Sequence, residues 1–389
     1  MQERLINKRN SGIDILRGIS VIAVILLHIN IRIPFSVTYI GSILPKMIYS
    51  FLFWSGYYGV CIFFVVSGFL ITTTSLNKWA TLSGVSLRGF YTMRFARIMP
   101  LLVVLLIVLS VLHLSDIADF VINPAKTSLA RALFAALTFH INWLEMKVGY
   151  LPGSWDVLWT LSLEEIFYLF FPVFCIICRK EWHFVALLSV FLIIGPFARI
   201  VWFSENELGD HNNFAYMDAI ALGCIAALVT KRITIKRHVL NSMSFIGWGL
   251  IILILIFRRA ANQLYLIETG LNVTVLAIGT ALVLIGMQKR FVEGKQISSK
   301  FSAAFRYLGR NSYEVYLTHM FIVLLFVNVF KSLELSGEWV WALYISILIA
   351  SGVLGDLVAR YFSNPLNSLL REKIKPQIVS NMQETIEIR

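Results

Sequence analysis

Apolar runs of near 20 residues recur along the whole chain, separated by short polar stretches. That is the spacing a bilayer's hydrocarbon core imposes on helices. Ten helical spans are predicted, at about 12–31, 50–73, 97–113, 157–178, 184–203, 214–230, 244–258, 271–287, 312–331 and 340–361. The fold class read from this pattern is an all-α polytopic membrane protein of about ten transmembrane helices. The segment 130–143 is apolar but too short to stand upright across a membrane, so it is predicted to be re-entrant or interfacial on the outer side. The first run follows Arg4, Lys8 and Arg9, as a signal peptide would. Asp14, Arg17 and His28 do not suit the apolar centre of such a peptide, and no small-x-small cleavage site follows, so a retained helix is expected.

Composition agrees with the pattern. Of the 389 residues, 58% are hydrophobic and 14% charged, against a usual charged share of about 25%. No polar stretch is long enough for a soluble domain. A single membrane domain over 1–375 is expected, with a short cytoplasmic tail at 376–389. The net charge is +12. With the N-terminus inside, most Lys and Arg fall on predicted inner segments, so the positive-inside rule places both termini in the cytoplasm. Acids such as Asp116 and Asp210 make the outer segments slightly negative. The basic surface therefore suits lipid headgroups or an anionic cytoplasmic ligand. No basic run is interleaved with stacking aromatics, so nucleic acid is not expected as a partner. The four cysteines, Cys61, Cys175, Cys178 and Cys224, all fall within predicted spans. Cys175 and Cys178 form a C-x-x-C inside an apolar helix, where packing is the expected role, and no metal site is expected. There is no P-loop, H-E-x-x-H, G-x-S-x-G or dinucleotide fingerprint.

Ionisable groups inside a bilayer are costly, and each requires a partner or an aqueous cavity. Asp14, Glu164, Glu165, Asp218, Glu314 and Asp356 lie within the predicted spans, as do Arg17, His28 and His319. Arg17 and His28 are eleven residues apart, three turns plus about 20°, so they share one helix face roughly 16 Å apart along the axis. Counting residues from the span ends puts His28 and Glu164 at similar depth in the outer half. A Glu beside His28 would raise the imidazole's basicity and fix its tautomer, as a general base requires; a satisfied buried pair is the plainer alternative. Arg17, Arg88, Arg94 and Arg97 gather at the inner face, and Arg94 and Arg97 form an i,i+3 fork suited to phosphate. Arginines at cytoplasmic helix ends are also ordinary topology signals. Asp356 and Arg360 are spaced for an i,i+4 ion pair, and Tyr313, Tyr316 and His319 share a face of the ninth span. Gly59, Ser67 and Gly68 make the second span narrow enough for a helix or ligand to approach.

Taken in order, these motifs resemble the acyltransferase 3 family of membrane O-acyltransferases. Ile13-Asp14-Ile-Leu-Arg17-Gly18 with His28 resembles its opening D-x-x-R-G and R-x10-H pattern. Gly59 to Phe69 resembles its G-V-x-x-F-F-V-x-S-G-F element, and Arg94-Phe-Ala-Arg97-Ile-Met-Pro100 its R-x-x-R-I-x-P element. Leu158 to Tyr168, which carries Glu164, resembles W-S-L-x-x-E-x-x-F-Y, with Thr160 where serine is usual. Asp218 to Gly223 resembles D-x-x-x-x-G, and Leu308 to His319 resembles L-G-x-x-S-Y-x-x-Y-L-x-H. Tyr361-Phe-Ser-Asn364-Pro365 departs from the family's usual E-x-P ending, and no SGNH hydrolase-like domain is expected, unlike the fused members.

The resemblance implies transfer of an acyl group, usually acetyl, from cytoplasmic acyl-CoA to a carbohydrate hydroxyl. The acceptor would be a cell-surface or lipid-linked glycan, such as O-antigen, exopolysaccharide or peptidoglycan, and the location the bacterial cytoplasmic membrane. Carried over by position, His28 would be the catalytic base and Glu164 its partner or an acceptor-binding acid. Arg17, Arg94 and Arg97 would hold the CoA phosphates, while Asp14, Ser67, Tyr168, Tyr313 and His319 would line the substrate cavity. Acyl-CoA would be a co-substrate, with no permanently bound cofactor. The competing reading is a proton-coupled glycan transporter or flippase using the buried charges as a relay. No matching halves of the kind many transporters show are evident.

Overall fold

The computed structural model describes residues 9–201, 211–295 and 299–372. Arg4, Lys8, Asp210 and the tail from 376 onward lie outside the described residues. The described chain is helical: α1 Ser11–Arg32, α2 Tyr39–Ile43, α3 Lys46–Phe53, α4 Gly56–Trp79, α5 Leu87–Leu114, α6 Leu129–Leu137, α7 Ile141–Val148, α8 Gly153–Asp156, α9 Leu158–Ile177, α10 Glu181–Val201, α11 Met217–Arg232, α12 Arg237–Leu255, α13 Arg258–Gln263, α14 Leu271–Val292, α15 Ser302–Arg310, α16 Ser312–Ser332 and α17 Val340–Val358. After α17 the chain widens into one π-helical turn, Ala359–Ser363, and continues helical to Glu372. Ten helices are long and apolar enough to cross a membrane, and they answer one for one to the ten predicted spans.

The boundaries differ where charge misleads the pattern. The third span begins at Leu87, ten residues ahead of its predicted start, with the Ser86 side chain accepting from Gly89 N–H as its N-cap. Arg88 and Arg94 therefore lie within the same helix as Arg97, inside the span rather than ahead of it. The second span begins at Gly56, because α3 ends at Trp54 and a fresh helix starts beyond Ser55. The apolar segment 130–143 divides between α6 and α7, neither long enough to span. Asn10 caps α1 by accepting from Gly12 N–H at 2.9 Å, and Pro34 follows its last turn.

Helices α4 and α11 are the most enclosed spans, while α10 and α12 are the most open to the surroundings. The α4–α11 contact depends on glycine. A Cβ added at Gly68 would lie 2.0 Å from the Ile220 carbonyl oxygen, and one at Gly223 would lie 2.0 Å from that of Val65. The two backbones touch, as small residues permit in helix pairs lacking a hydrophobic drive to associate. The same device seats α15 on α1, where a Cβ at Gly18 would lie 2.0 Å from the Phe305 carbonyl oxygen and one at Gly309 1.7 Å from that of Asp14. Gly18 immediately follows Arg17, so this seating fixes the turn that carries Arg17.

A buried ion pair ties α10, α11 and α14 together. Arg199, which the sequence pattern does not single out, is 3% exposed and its partner Asp218 0%. Its Nη1 and Nη2 donate to the two Asp218 carboxylate oxygens at 3.1 and 2.8 Å, its Nε to the Gly270 carbonyl at 2.7 Å, and its Nη2 to Thr274 Oγ1 at 2.6 Å. It also donates to the Ala215 carbonyl. The four buried cysteines form no disulfide, consistent with their expected packing role. Asp356 and Arg360 make the predicted i,i+4 pair at 3.2 Å.

Two stability predictions follow from this packing. Gly68→Leu or Gly223→Leu forces α4 from α11, and the melting temperature of the detergent-purified protein drops sharply, or folded protein is lost. Gly249→Ala, with nothing within 4 Å of its Cβ, leaves that temperature unchanged or slightly higher. Arg199→Met strands the Asp218 carboxylate and destabilises by about 3–5 kcal/mol, whereas the double change Arg199→Met/Asp218→Leu recovers most of the loss. Equal melts for the single and double variants would contradict this.

Candidate functional site

The site lies among α1, α4, α5, α9 and α16. A cavity of about 320 Å³ has Arg17, Arg94, Arg97 and Arg371 among its lining, together with Ser67, Glu164, Tyr168 and Tyr313. A second cavity of about 90 Å³ shares Arg17, Glu164 and Tyr313 with the first and extends to Thr160 and Tyr316. The first holds the predicted arginine fork; the second is lined at its other end by Thr160 and Tyr316.

The four arginines differ in how far they are already committed. Arg97 is paired with Glu314, with Nη1 2.9 Å from Oε1 and Nη2 donating to Oε2 at 3.3 Å. Its guanidinium lies 5.0 Å from the Tyr313 ring centre, and Tyr313 donates its hydroxyl to the Ile98 carbonyl at 3.2 Å. Arg94 stacks 3.5 Å over the Tyr168 ring and is 3.6 Å from Glu165. Such pairing explains how both arginines sit within a span. Arg17 makes no ion pair among the described residues, yet it lines both cavities and a third beside Asp14. Asp14, its expected neutraliser, is instead 3.0 Å from Arg9 and 3.8 Å from Arg310. Arg371, from the last helical stretch, belongs to no recognised motif, and only the fold carries it to the cavity.

Of the six acids that the sequence places within spans, Glu164 alone has no ion pair among the described residues. It lies on the wall of both cavities, in electrostatic reach of Arg94 and Arg17 and close to Ser67. Ser67 and Tyr168 are hydrogen-bonded to each other through their hydroxyls. These side chains come from α4 and α9, and all were singled out in the sequence.

Past Tyr316 stand the histidines. Thr160 Oγ1 donates to Tyr316 Oη at 3.0 Å, so threonine supplies the hydroxyl a serine would at this position. The Tyr316 and His319 rings are 5.7 Å apart, and the His319 and His28 rings 5.2 Å apart and tilted by 47°. His319 Nδ1 is 2.6 Å from the Tyr316 carbonyl oxygen. A carbonyl only accepts, so Nδ1 carries the proton and Nε2 keeps a lone pair; Nε2 is buried and has no hydrogen-bond partner. Arg32 closes the far side, donating to the His28 carbonyl at 2.9 Å. The ring brought against His28 is thus that of His319, while Glu164 stands on the cavity wall with Ser67 and Arg94. Helical depth placed His28 and Glu164 near one level; side-to-side packing gave His28 a different neighbour. Asp14 turns to Arg9 and lines neither of the two shared cavities.

Comparison with known proteins agrees with the motif order. The family profile described as "Acyltransferase domain" matches residues 10–359. A protein named "Putative O-acetyltransferase SACOL0978" from Staphylococcus aureus (strain COL) is 25% identical over 379 residues, covering 91% of this chain and 56% of its own length. The protein named "O-acetyltransferase OatA" from Staphylococcus aureus (strain NCTC 8325 / PS 47) is 23% identical over 375 residues, covering 91% of this chain and 57% of its own. The chain thus spans a little over half the length of these curated relatives. No solved structure matches it. The profile covers nearly all the described helices and every motif from Asp14 to His319, and the chain belongs to the acyltransferase 3 family.

Proposed function

We propose that this protein is an integral membrane O-acetyltransferase of the bacterial cytoplasmic membrane. It moves an acetyl group from cytoplasmic acetyl-CoA to a hydroxyl of a cell-surface or lipid-linked glycan, with both chain termini in the cytoplasm. One arrangement carries the reading. Arg17 and Glu164, each without an ion pair among the described residues, share cavities whose far end reaches Tyr316, against which the His319–His28 pair packs.

Arg17 and Arg371 take the CoA phosphates, because neither is paired with a carboxylate at this mouth. Arg94 and Arg97 shape the mouth and add positive potential through their existing pairs. The pantetheine arm follows the cavity past Ser67 and Tyr168 to place the thioester near His28. The acceptor sugar enters from the opposite face. His28 takes the hydroxyl proton as that oxygen attacks the thioester carbonyl, the C–S bond breaks, and the proton passes to the departing CoA thiolate. His319, its Nδ1–H fixed on the Tyr316 carbonyl, holds a neutral ring beside His28 and so does not compete for the proton as a cation. Glu164 accepts a hydrogen bond from the incoming sugar or the thioester arm at the cavity bend.

Transfer from radiolabelled acetyl-CoA, measured in membranes expressing the protein, tests this. His28→Ala lowers transfer by at least about a hundred-fold, the usual scale for a lost general base. Arg17→Ala raises the KM for acetyl-CoA by roughly ten- to a hundred-fold, as loss of a charged hydrogen bond of about 1.5–3 kcal/mol does. His28→Ala retaining full transfer would sink the assignment. Proton-coupled glycan movement without CoA binding would replace it with a transporter. Glycan mass spectrometry with and without the gene reports the added acetyl mass directly.

A further inference from the structure

A second cluster of ionisable groups lies at the α9 end remote from the arginine mouth. Glu145 stands on α7, Asp156 closes α8, and His211 opens the segment that leads into the 3-10 turn Asn213–Tyr216. His211 Nε2 is 3.5 Å from Glu145 Oε2 and 3.5 Å from Asp156 Oδ1. Glu145 is fully buried, His211 5% exposed and Asp156 17%. Glu145 Oε2, Asp156 Oδ1 and both ring nitrogens of His211 have no hydrogen-bond partner.

From this geometry we propose that Glu145, Asp156 and His211 bind one divalent transition-metal ion of the zinc type. The three donor atoms all lie within 4.8 Å of one another. A contact of 3.5 Å is too long for a sound N–H···O bond, which runs about 2.7–3.2 Å. It matches the edge of a tetrahedron about 3.4 Å wide, drawn by ligands about 2.0–2.2 Å from a central zinc ion. One imidazole with two carboxylates is a mixed nitrogen and oxygen set, which favours zinc or manganese over calcium or magnesium. In their ligating forms two carboxylates and one imidazole carry a charge of −2, which a divalent cation cancels. Neither nearby cation makes an ion pair with them among the described residues: Lys126 donates to the Tyr150 carbonyl at 2.8 Å and Arg32 to that of His28.

The surroundings hold the donors in place. Glu145 Oε1 accepts from Leu151 N–H at 3.1 Å, leaving Oε2 to point inward. Asn142, one turn before Glu145, donates to the His211 carbonyl at 2.9 Å. The His211 ring packs 4.6 Å from that of Trp159, and Trp155 beside Asp156 is fully buried. The ion therefore joins α7 and α8 to the more distant 211–216 segment, and the next residue after Trp159 is Thr160, the hydrogen-bond partner of Tyr316. It braces the opposite end of the helix that carries Glu164 and takes no part in the acyl transfer itself.

The test uses the full chain purified in detergent, stripped with a chelator, supplied with zinc and freed of excess. Metal content by plasma mass spectrometry is expected at about one zinc per chain. Glu145→Gln and His211→Gln lower it at least ten-fold, whereas Cys175→Ser/Cys178→Ser, which removes the other clustered candidate ligands, leaves it unchanged. The melting temperature of the unmutated protein falls on chelation and recovers with zinc, a readout that stands even if a cluster variant fails to fold. Two outcomes overturn the proposal. One is an unmutated protein with no stoichiometric zinc or manganese and a melt indifferent to chelator, as a proton shared between the carboxylates would give. The other is metal lost with the cysteines and kept without the cluster.

Discussion

Burying charge in a slab of hydrocarbon about 30 Å thick is the constraint on which this structure turns. Asp218 takes Arg199, Glu314 takes Arg97, Glu165 takes Arg94, and Asp14 takes Arg9. The first three pairs also join helices that the hydrophobic effect alone would leave free to slide, since lipid tails are as apolar as leucine. The Arg199 network clamps α10, α11 and α14, and the Arg97–Glu314 pair clamps α5 to α16. The same requirement sets the grammar of the site. A charge that is not spoken for, in a bundle where its neighbours are, waits for something from outside.

At the candidate site Arg17 and Glu164 are two such charges. Their isolation is made by neighbours. Asp14, three residues before Arg17 and well placed to neutralise it, is drawn off by Arg9 and Arg310. Arg94, in reach of Glu164, lies over the Tyr168 ring with Glu165 close by. Close seating of α15 on α1 through Gly18 and Gly309 fixes the turn that presents Arg17, so the glycine of the Arg17-Gly18 pair does structural work for the arginine. The cavity is thus cationic at one end and bears a carboxylate farther along, a polarity suited to a long ligand with phosphates at its head and a neutral reacting group at its tail.

Much of this was legible in the chain. Ten apolar runs gave ten spans, and the Asp356–Arg360 pair and the close approach at Gly68 follow from spacing and residue size. What escaped has a common cause. Periodicity fixes depth along one helix but not which helices lie side by side, so His28 could be given a level and not a neighbour. His319 supplied that neighbour from nearly three hundred residues away. The third span is expected to begin only at 97, because charge is the usual mark of a span's end, yet Glu314, Glu165 and Tyr168 satisfy two of its arginines inside a helix that begins at Leu87. Asp218 was visible as a buried acid, but nothing local to it names Arg199. Glu145, Asp156 and His211 share no motif and meet only because α7, α8 and the 211–216 segment fold over one another.

Placing Glu164 apart from His28 alters the chemistry in a definite way. A carboxylate against a base histidine stabilises the imidazolium it becomes, and in a poorly solvated site that charge would be held after the proton was gained. A neutral imidazole offers much weaker stabilisation. His319, fixed by its Nδ1–H on the Tyr316 carbonyl, presents only a lone pair and a ring face near His28. In the proposed mechanism a proton taken by His28 is therefore bound for a short time and returns readily to the thiolate leaving with CoA. Under that reading the carboxylate serves best where it stands, on the wall between the arginine proposed to bind phosphate and the proposed reacting end. There its charge orients donors from the ligand without trapping the proton that the reaction must give back.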